Sequence, residues 1–275
     1  MTRIYDTTRY ADKPAGGIRM NANLWIMTND HGDPIPWFPD STYGSAFDDM
    51  NESLIKSVAE AAAAGGVALL CLDVEPLSFN PTPSDLLEII GWVRDAAPTL
   101  KLGMYDHPGV FISNGATWSD TQAINDTNQS VLDALDVSMP SLYTKYDVAV
   151  HGMAGWSLSL VRAASESERT MPGKPVIPFG RPEYDDNGWW GDPSNPKQGY
   201  LMESPWFLKQ VQAALKVCDG IVVWGGGNPL VPPATSNPWD NSMRWYLDLI
   251  HAGLLEGGDV VRNRVRSRRR AAVLM

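Results

Sequence analysis

The stretch VALLCLDVEPLSF, residues 67–79, decides the reading of the fold. Six mostly apolar residues, Val67 to Leu72, lead straight into Asp73 and Glu75, and Pro76 follows at once. A short continuous apolar run closed by a proline is what a strand buried on both faces looks like. Two acids at the end of such a strand need a reason. That reason lies in what the other strands carry at the same end.

Outward from this strand, short apolar runs alternate with helical patterns. Residues 18–27 read as a first strand, and the alanine-rich 46–64 as a helix stopped by Gly65-Gly66. Residues 84–97 read as a helix with Ser84 as N-cap after Pro83, ending before Pro98. The cycle continues with strand 100–106, helix 119–134 opened by Ser119, strand 135–143 and helix 151–169. It closes with strand 174–180, helix 204–216 opened by Ser204-Pro205, strand 219–226 and helix 239–254. Strand–helix units with continuous apolar strands predict an α/β protein, a parallel sheet covered by helices.

A doubly wound sheet and a closed barrel both fit that alternation. The barrel is preferred because polar and aromatic residues collect at one end of nearly every strand: Asp73 and Glu75, Tyr105 and Asp106, Tyr143, Arg181 and Tyr184, and Trp224. In a (β/α) barrel those C-terminal ends converge on the face that carries the active site. The expected organisation is an N-terminal extension over 1–16, a single TIM-like barrel of seven or eight strands over 17–257, and a basic tail over 258–275.

Composition is compatible with one large core. The 275 residues are 44% hydrophobic and 20% charged, ordinary for a globular domain. No apolar run approaches the roughly 20 residues of a membrane span, and no membrane partner is expected. The N-terminus lacks an apolar signal-peptide segment, so Sec export is not expected; a cytoplasmic place, release by lysis and a place on a virion all stay open. Cys71 and Cys218 sit in apolar contexts and read as small core residues rather than a disulfide. The tail VRNRVRSRRR holds six arginines and no acid, and without them the net charge of −10 becomes −16 for the body. Such an acidic body argues against a nucleic-acid partner, and the tail reads as a solvated terminus. Four scattered histidines, among them His107, show no metal-ligand spacing, and neither metal nor cofactor is expected.

On a strand, residues i and i+2 face the same side, so Asp73 and Glu75 are expected to project together. Neighbouring carboxylates raise the pKa of at least one of them. An acid still protonated at working pH can donate to a departing oxygen while its partner orients it. Mechanisms with two opposed carboxylates hold them across the sugar, at least about 5 Å apart. An i, i+2 pair lies on one side only, so the attacking group must come from elsewhere. The carbonyl oxygen of a 2-acetamido sugar is one such group.

Taken together, five stretches in matching order resemble the hyaluronidases, glycoside hydrolase family 56. LLCLDVEP looks like that family's strand ending in Asp-Trp-Glu, LGMYDHP like its Gly-Phe-Tyr-x-x-Pro segment, and MPSLY like its [Tyr/Phe]-Pro-Ser-Ile-Tyr strand. PVIPFGRPEYD is similar to its Pro-Val-x-Pro-Tyr strand ending in tyrosine, and DGIVVWGGGN to its Gly-Val-Val-x-Trp strand. The resemblance spans about residues 67–228. It implies a glycosidase acting on an N-acetylhexosamine-containing polysaccharide. Glu75 would be proton donor, and Asp73 would hold it and polarise the acetamido group. Tyr184 would orient that group and Trp224 wall its methyl, with Tyr143 and Tyr105 lining the cleft. Asp106, Arg181 and Asn228 join them as candidate substrate contacts.

The chain departs from the family pattern at Val74, which stands where an aromatic is usual, and at Met139, which replaces tyrosine or phenylalanine before Pro-Ser. The family's Pro-Asp-Cys cysteine is absent. For hyaluronan, itself a polyanion, local basic residues such as Lys145 and Arg181 would have to offset the acidic body. Plainer readings stand beside these. Trp224 and Tyr143 suit a core as well as a subsite, and Arg181 suits an internal carboxylate partner. The loops 184–200, with Trp189-Trp190, and 227–240 suit either sugar stacking or surface packing. Two rival functions fit the same residues: a carbohydrate-binding barrel without catalysis, and a metal-dependent hydrolase with Asp73, Glu75 and Asp106 as oxygen ligands.

Overall fold

The computed structural model describes residues 4–6, 24–28, 50–74, 81–110, 117–144, 153–182, 202, 204–224, 249, 252 and 254. They form seven strands: β1 Ile4–Asp6, β2 Leu24–Thr28, β3 Leu69–Asp73, β4 Lys101–Tyr105, β5 Val137–Met139, β6 Phe179–Gly180 and β7 Ile221–Val223. Six helices accompany them: α1 Glu52–Ala64, α2 Pro83–Ala96, α3 Trp118–Thr127, α4 Gln129–Ala134, α5 Ala154–Thr170 and α6 Ser204–Val217.

Every strand pairing is parallel, in the orders β2-β3-β4-β5 and β1-β7-β6. Parallel bridges Ser138–Val176 and Ser141–Phe179 join the two sets. In the combined order β2-β3-β4-β5-β6-β7-β1, the strands from β2 to β7 follow one another in sequence, and β1 lies beside β7. A doubly wound sheet would reverse direction at a switch point instead. Among the described residues no pairing joins β1 to β2.

Alternation along the strands sorts side chains into two layers. Leu70 and Leu72 of β3, with Leu102 and Met104 of β4, pack outward against α1, α2 and α4. Ile4, Ile221 and Val223 pack outward against α5 and α6. The opposite faces, Leu24, Ile26, Leu69, Cys71, Val137, Met139, Phe179 and Val222, form a third cluster, buried on the other side of the sheet. Gly103 belongs to this inner face and makes room there. A Cβ on it would meet the Met139 Sδ and lie 2.8 Å from its Cγ.

Several boundaries differ from the sequence expectation, each for a local reason. Helix α1 begins at Glu52, not 46, since Met50 has φ 47° and Asn51 caps by accepting from the Leu54 N–H. The N-caps of α2 and α3 are Thr82 and Thr117, not Ser84 and Ser119. Each threonine forms a reciprocal capping box with an aspartate three residues on, Asp85 and Asp120. The predicted helix 119–134 breaks at Asn128 into α3 and α4. Strands 135–143 and 174–180 shrink to β5 and β6 because Pro140, Pro175 and Pro178 have no N–H to donate. Their carbonyls still accept, from Phe179, Ser138 and Val222 respectively. Within the expected extension 1–16, Ile4–Asp6 forms β1, which pairs with β7 and so belongs to the sheet. Of the predicted helix 239–254, residues 249, 252 and 254 are described, and Leu249 is buried. Cys71 is buried and Cys218 half-buried, both as thiols.

Candidate active site

The C-terminal ends of β3 and β4, and the chain just past β5, β6 and β7, carry the described residues among those that the sequence singles out: Asp73, Tyr105, Asp106, Tyr143, Arg181 and Trp224. Asp73 closes β3 and is 7% exposed. It has the parity of Leu69 and Cys71, which belong to the third cluster, so the strand delivers its carboxylate to that side. Val74 has the opposite parity and packs against the helix layer. Its departure from the family aromatic therefore falls on the far side of the strand. Met139 is fully buried within the third cluster, lying across Gly103.

Tyr105, Tyr143 and Trp224 all pack, half-buried, against that same cluster. The Tyr105 ring meets Phe179 edge-on at 5.0 Å and 86°, and stands 6.0 Å from the Tyr143 ring. The Arg181 guanidinium lies 5.9 Å over Tyr143, within the range of a cation–π contact. The Tyr105 hydroxyl is 3.4 Å from the Ser141 Oγ. Burial raises the Tyr143 phenol well above its ordinary pKa; the neighbouring Tyr105 hydroxyl and the Asp73 charge add to the shift, and Arg181 opposes it. The Tyr143 hydroxyl therefore keeps its proton at any working pH and is available as a donor. Tyr105, Arg181 and Asp73 thus each act on the Tyr143 phenol.

Asp106 plays a different part. Its backbone is left-handed, with φ 54°, a conformation aspartate tolerates better than most residues. Its Oδ1 accepts from the Ser141 N–H at 3.2 Å, tying the end of β4 to the chain beyond β5. His107 Nδ1 lies 2.9 Å from the Tyr105 carbonyl, so Nδ1 carries the proton of the neutral ring. Burial lowers its pKa, opposed by that hydrogen bond. Among the described residues no group of three or more His, Cys, Asp or Glu is placed to hold a metal ion. Glu75, Tyr184 and Asn228 lie outside the described residues, as do Lys145 and the loops 184–200 and 227–240.

Sequence reasoning missed the buried polar supports behind these residues. Asn125 of α3 clamps Gly109 in the turn after β4, accepting from its N–H and donating to its carbonyl, each at 2.9 Å. Asn125 also donates to Glu166 of α5, which is 1% exposed and accepts further from Gln122 and Arg169. Burial alone would raise the Glu166 pKa, but the hydrogen bonds from Arg169, Asn125 and Gln122 outweigh it and hold the carboxyl below its ordinary 4.5. A carboxyl depressed in the folded state adds stability above its unfolded pKa, and that stability is lost as pH falls through the folded value. Wild type is therefore expected to exceed Glu166→Gln in stability at pH 7, with the gap closing as pH drops below about 4. Urea unfolding of both proteins across that range measures it. A gap that widens on acidification would contradict this assignment.

No protein-family model matches the chain, and no curated protein matches it in sequence. Among solved structures the chain is similar to bee venom hyaluronidase in complex with a hyaluronic acid tetramer. That likeness has 13% identity and a TM-score of 0.50, over 82% of this chain and 90% of that one. A monoclinic crystal structure of bee venom hyaluronidase gives 12% identity and a TM-score of 0.44 over 83% of this chain and 69% of that chain. A modular endo-β-1,4-mannanase of glycoside hydrolase family 26 from Cellulomonas fimi gives 10% and 0.44 over 89% and 68%. The parallel α/β fold of this chain is similar to that of the hyaluronidase.

Proposed function

We propose that the chain is a glycoside hydrolase built on a closed (β/α) barrel, cleaving an N-acetylhexosamine-containing polysaccharide of hyaluronan or chondroitin type. The observation that carries this reading is the gathering of Asp73, Tyr105, Tyr143, Arg181 and Trp224 over one buried apolar cluster at the C-terminal strand ends. Active sites of parallel barrels occupy that face. The all-parallel sequential strand order, with β1 beside β7, and the fold likeness support the barrel.

In the proposed mechanism Glu75 protonates the glycosidic oxygen as its bond to the anomeric carbon breaks. The carbonyl oxygen of the substrate's 2-acetamido group attacks that carbon from the opposite face, giving a cyclic intermediate. Glu75, now a carboxylate, takes a proton from the incoming water, which opens the intermediate with overall retention. Asp73 holds Glu75 and polarises the acetamido group. Tyr184 orients that group, and Trp224 packs on its methyl. Tyr143, held protonated, donates to a sugar or acetamido oxygen. Tyr105, Arg181 and Asn228 line the cleft, and Arg181 offers a cation to a uronate carboxylate. Asp106 shapes the cleft by holding Ser141.

The test is reducing-end release from hyaluronan, chondroitin and chitin oligosaccharides between about pH 4 and pH 7. Release from the first two is expected. Binding without release over long incubation would replace catalysis by a carbohydrate-binding barrel. Activity that disappears with a chelator would favour the metal-dependent alternative.

A further inference from the structure

We propose that Gln210 of α6, acting through Thr144, is a positioning residue for Tyr143; the inference rests on the reading of Tyr143 as a substrate contact. Past β5 the backbone stays tied to β6 by the parallel bridge Ser141–Phe179, with the Phe179 N–H donating to the Pro140 carbonyl at 2.9 Å and the Leu142 N–H to the Phe179 carbonyl at 2.8 Å, and Thr144 lies in a further bridge. Side chains from other elements add to that hold. The Ser141 N–H donates to Asp106 Oδ1 at 3.2 Å. The Leu142 carbonyl accepts from the Trp156 indole of α5 at 2.9 Å. The Thr144 hydroxyl accepts from Gln210 Nε2 at 2.8 Å. Tyr143 is thus the residue between two anchored neighbours, and its ring direction follows from theirs.

Gln210 is the unexpected member. It is 2% exposed, and Thr144 is 3% exposed. It lies on the buried stripe of α6 with Phe207, Val211 and Ala214, where a leucine would pack without an amide to satisfy. Burying an amide costs free energy that its hydrogen bond only offsets. What the pair adds over an apolar contact is direction. The direction it fixes is that of the segment carrying Tyr143, whose ring must meet both Tyr105 and Arg181.

Thr144→Val removes the hydroxyl at nearly constant volume, and Thr144→Ser keeps it. Combined with Gln210→Leu, Thr144→Val leaves an apolar pair, which is close to neutral for stability. Two measurements test the proposal on the full chain. The first is 19F NMR of fluorotyrosine-labelled protein, with the Tyr143 resonance assigned through Tyr143→Phe. That resonance is expected to shift or broaden in Thr144→Val and in the double variant, and to return in Thr144→Ser. The second is turnover of the panel glycan: kcat is expected to fall about tenfold with KM little changed, as small misplacements of a contact group do, and to recover in Thr144→Ser. An unmoved Tyr143 resonance in folded Thr144→Val overturns the positioning role, whatever happens to activity. A moved resonance with unchanged kcat overturns its catalytic relevance. A wild type that cleaves no glycan removes the glycosidase reading instead, and the resonance alone then decides the positioning.

Discussion

Glu75→Gln is expected to lower turnover about 10²- to 10⁴-fold, the share that general acid–base catalysis supplies, while glycan binding and stability stay near wild type. The substitution keeps size and hydrogen-bonding shape but removes the transferable proton. Without it the glycosidic oxygen must leave as an unprotonated alkoxide, and the incoming water finds no base. The choice of Glu75 rests on its position in the sequence after β3. That strand turns Leu69 and Cys71 to the third cluster and brings Asp73 to the same side. A residue two positions beyond shares that side on an extended chain. The variant is checked by single-turnover kinetics on the best panel substrate, with circular dichroism and glycan affinity as controls. Full turnover in a folded Glu75→Gln protein would remove both the acid and the proposed reaction. A loss of turnover with affinity retained would also separate catalysis from a binding module, which has no proton to move.

The strand-end logic was legible in the sequence because it is local. Apolar runs ending in Asp73, Tyr105 and Trp224 state both the strand and what sits at its end. The helix starts are legible too, but through the capping box rather than through the nearest serine. Ser84 and Ser119 look like caps, yet Thr82 and Thr117 each have an aspartate three residues on, and that spacing closes the capping box. Strand β1 was not legible. Three residues show no periodicity, and Ile4–Asp6 is a strand because β7 lies beside it. Gln210 left only a faint trace, a polar residue on an apolar helical stripe. Its partner Thr144 lies 66 residues away, and no local rule connects them. The departures Val74 and Met139 looked equivalent in sequence and differ in space. One faces the helices, and the other fills the room that Gly103 leaves inside the sheet.

Phe179→Ala is expected to cost about 3–5 kcal/mol of stability, the range for deleting a buried ring, and to lower turnover as well. Phe179 is 2% exposed and is among the largest fully enclosed side chains. Its loss leaves a cavity where β5, β6 and β7 meet, and close-packed neighbours fill such a space only in part. The same ring stands edge-on beneath Tyr105, a contact worth about 0.5–1.5 kcal/mol beyond the area it buries. The aromatic series runs from Phe179 through Tyr105 and Tyr143 to Arg181, so its base sets the height of everything above. Phe179→Leu separates the two effects. It refills most of the volume and should recover most of the stability, as measured by urea unfolding, but it restores no ring edge to Tyr105. Turnover that stays low in Phe179→Leu, after correction for the folded fraction, would mean that the stacked rings hold the cleft in register. Turnover that recovers along with stability would mean that Phe179 serves the core alone, and that Tyr143 takes its direction from its hydrogen-bonded neighbours rather than from the rings below.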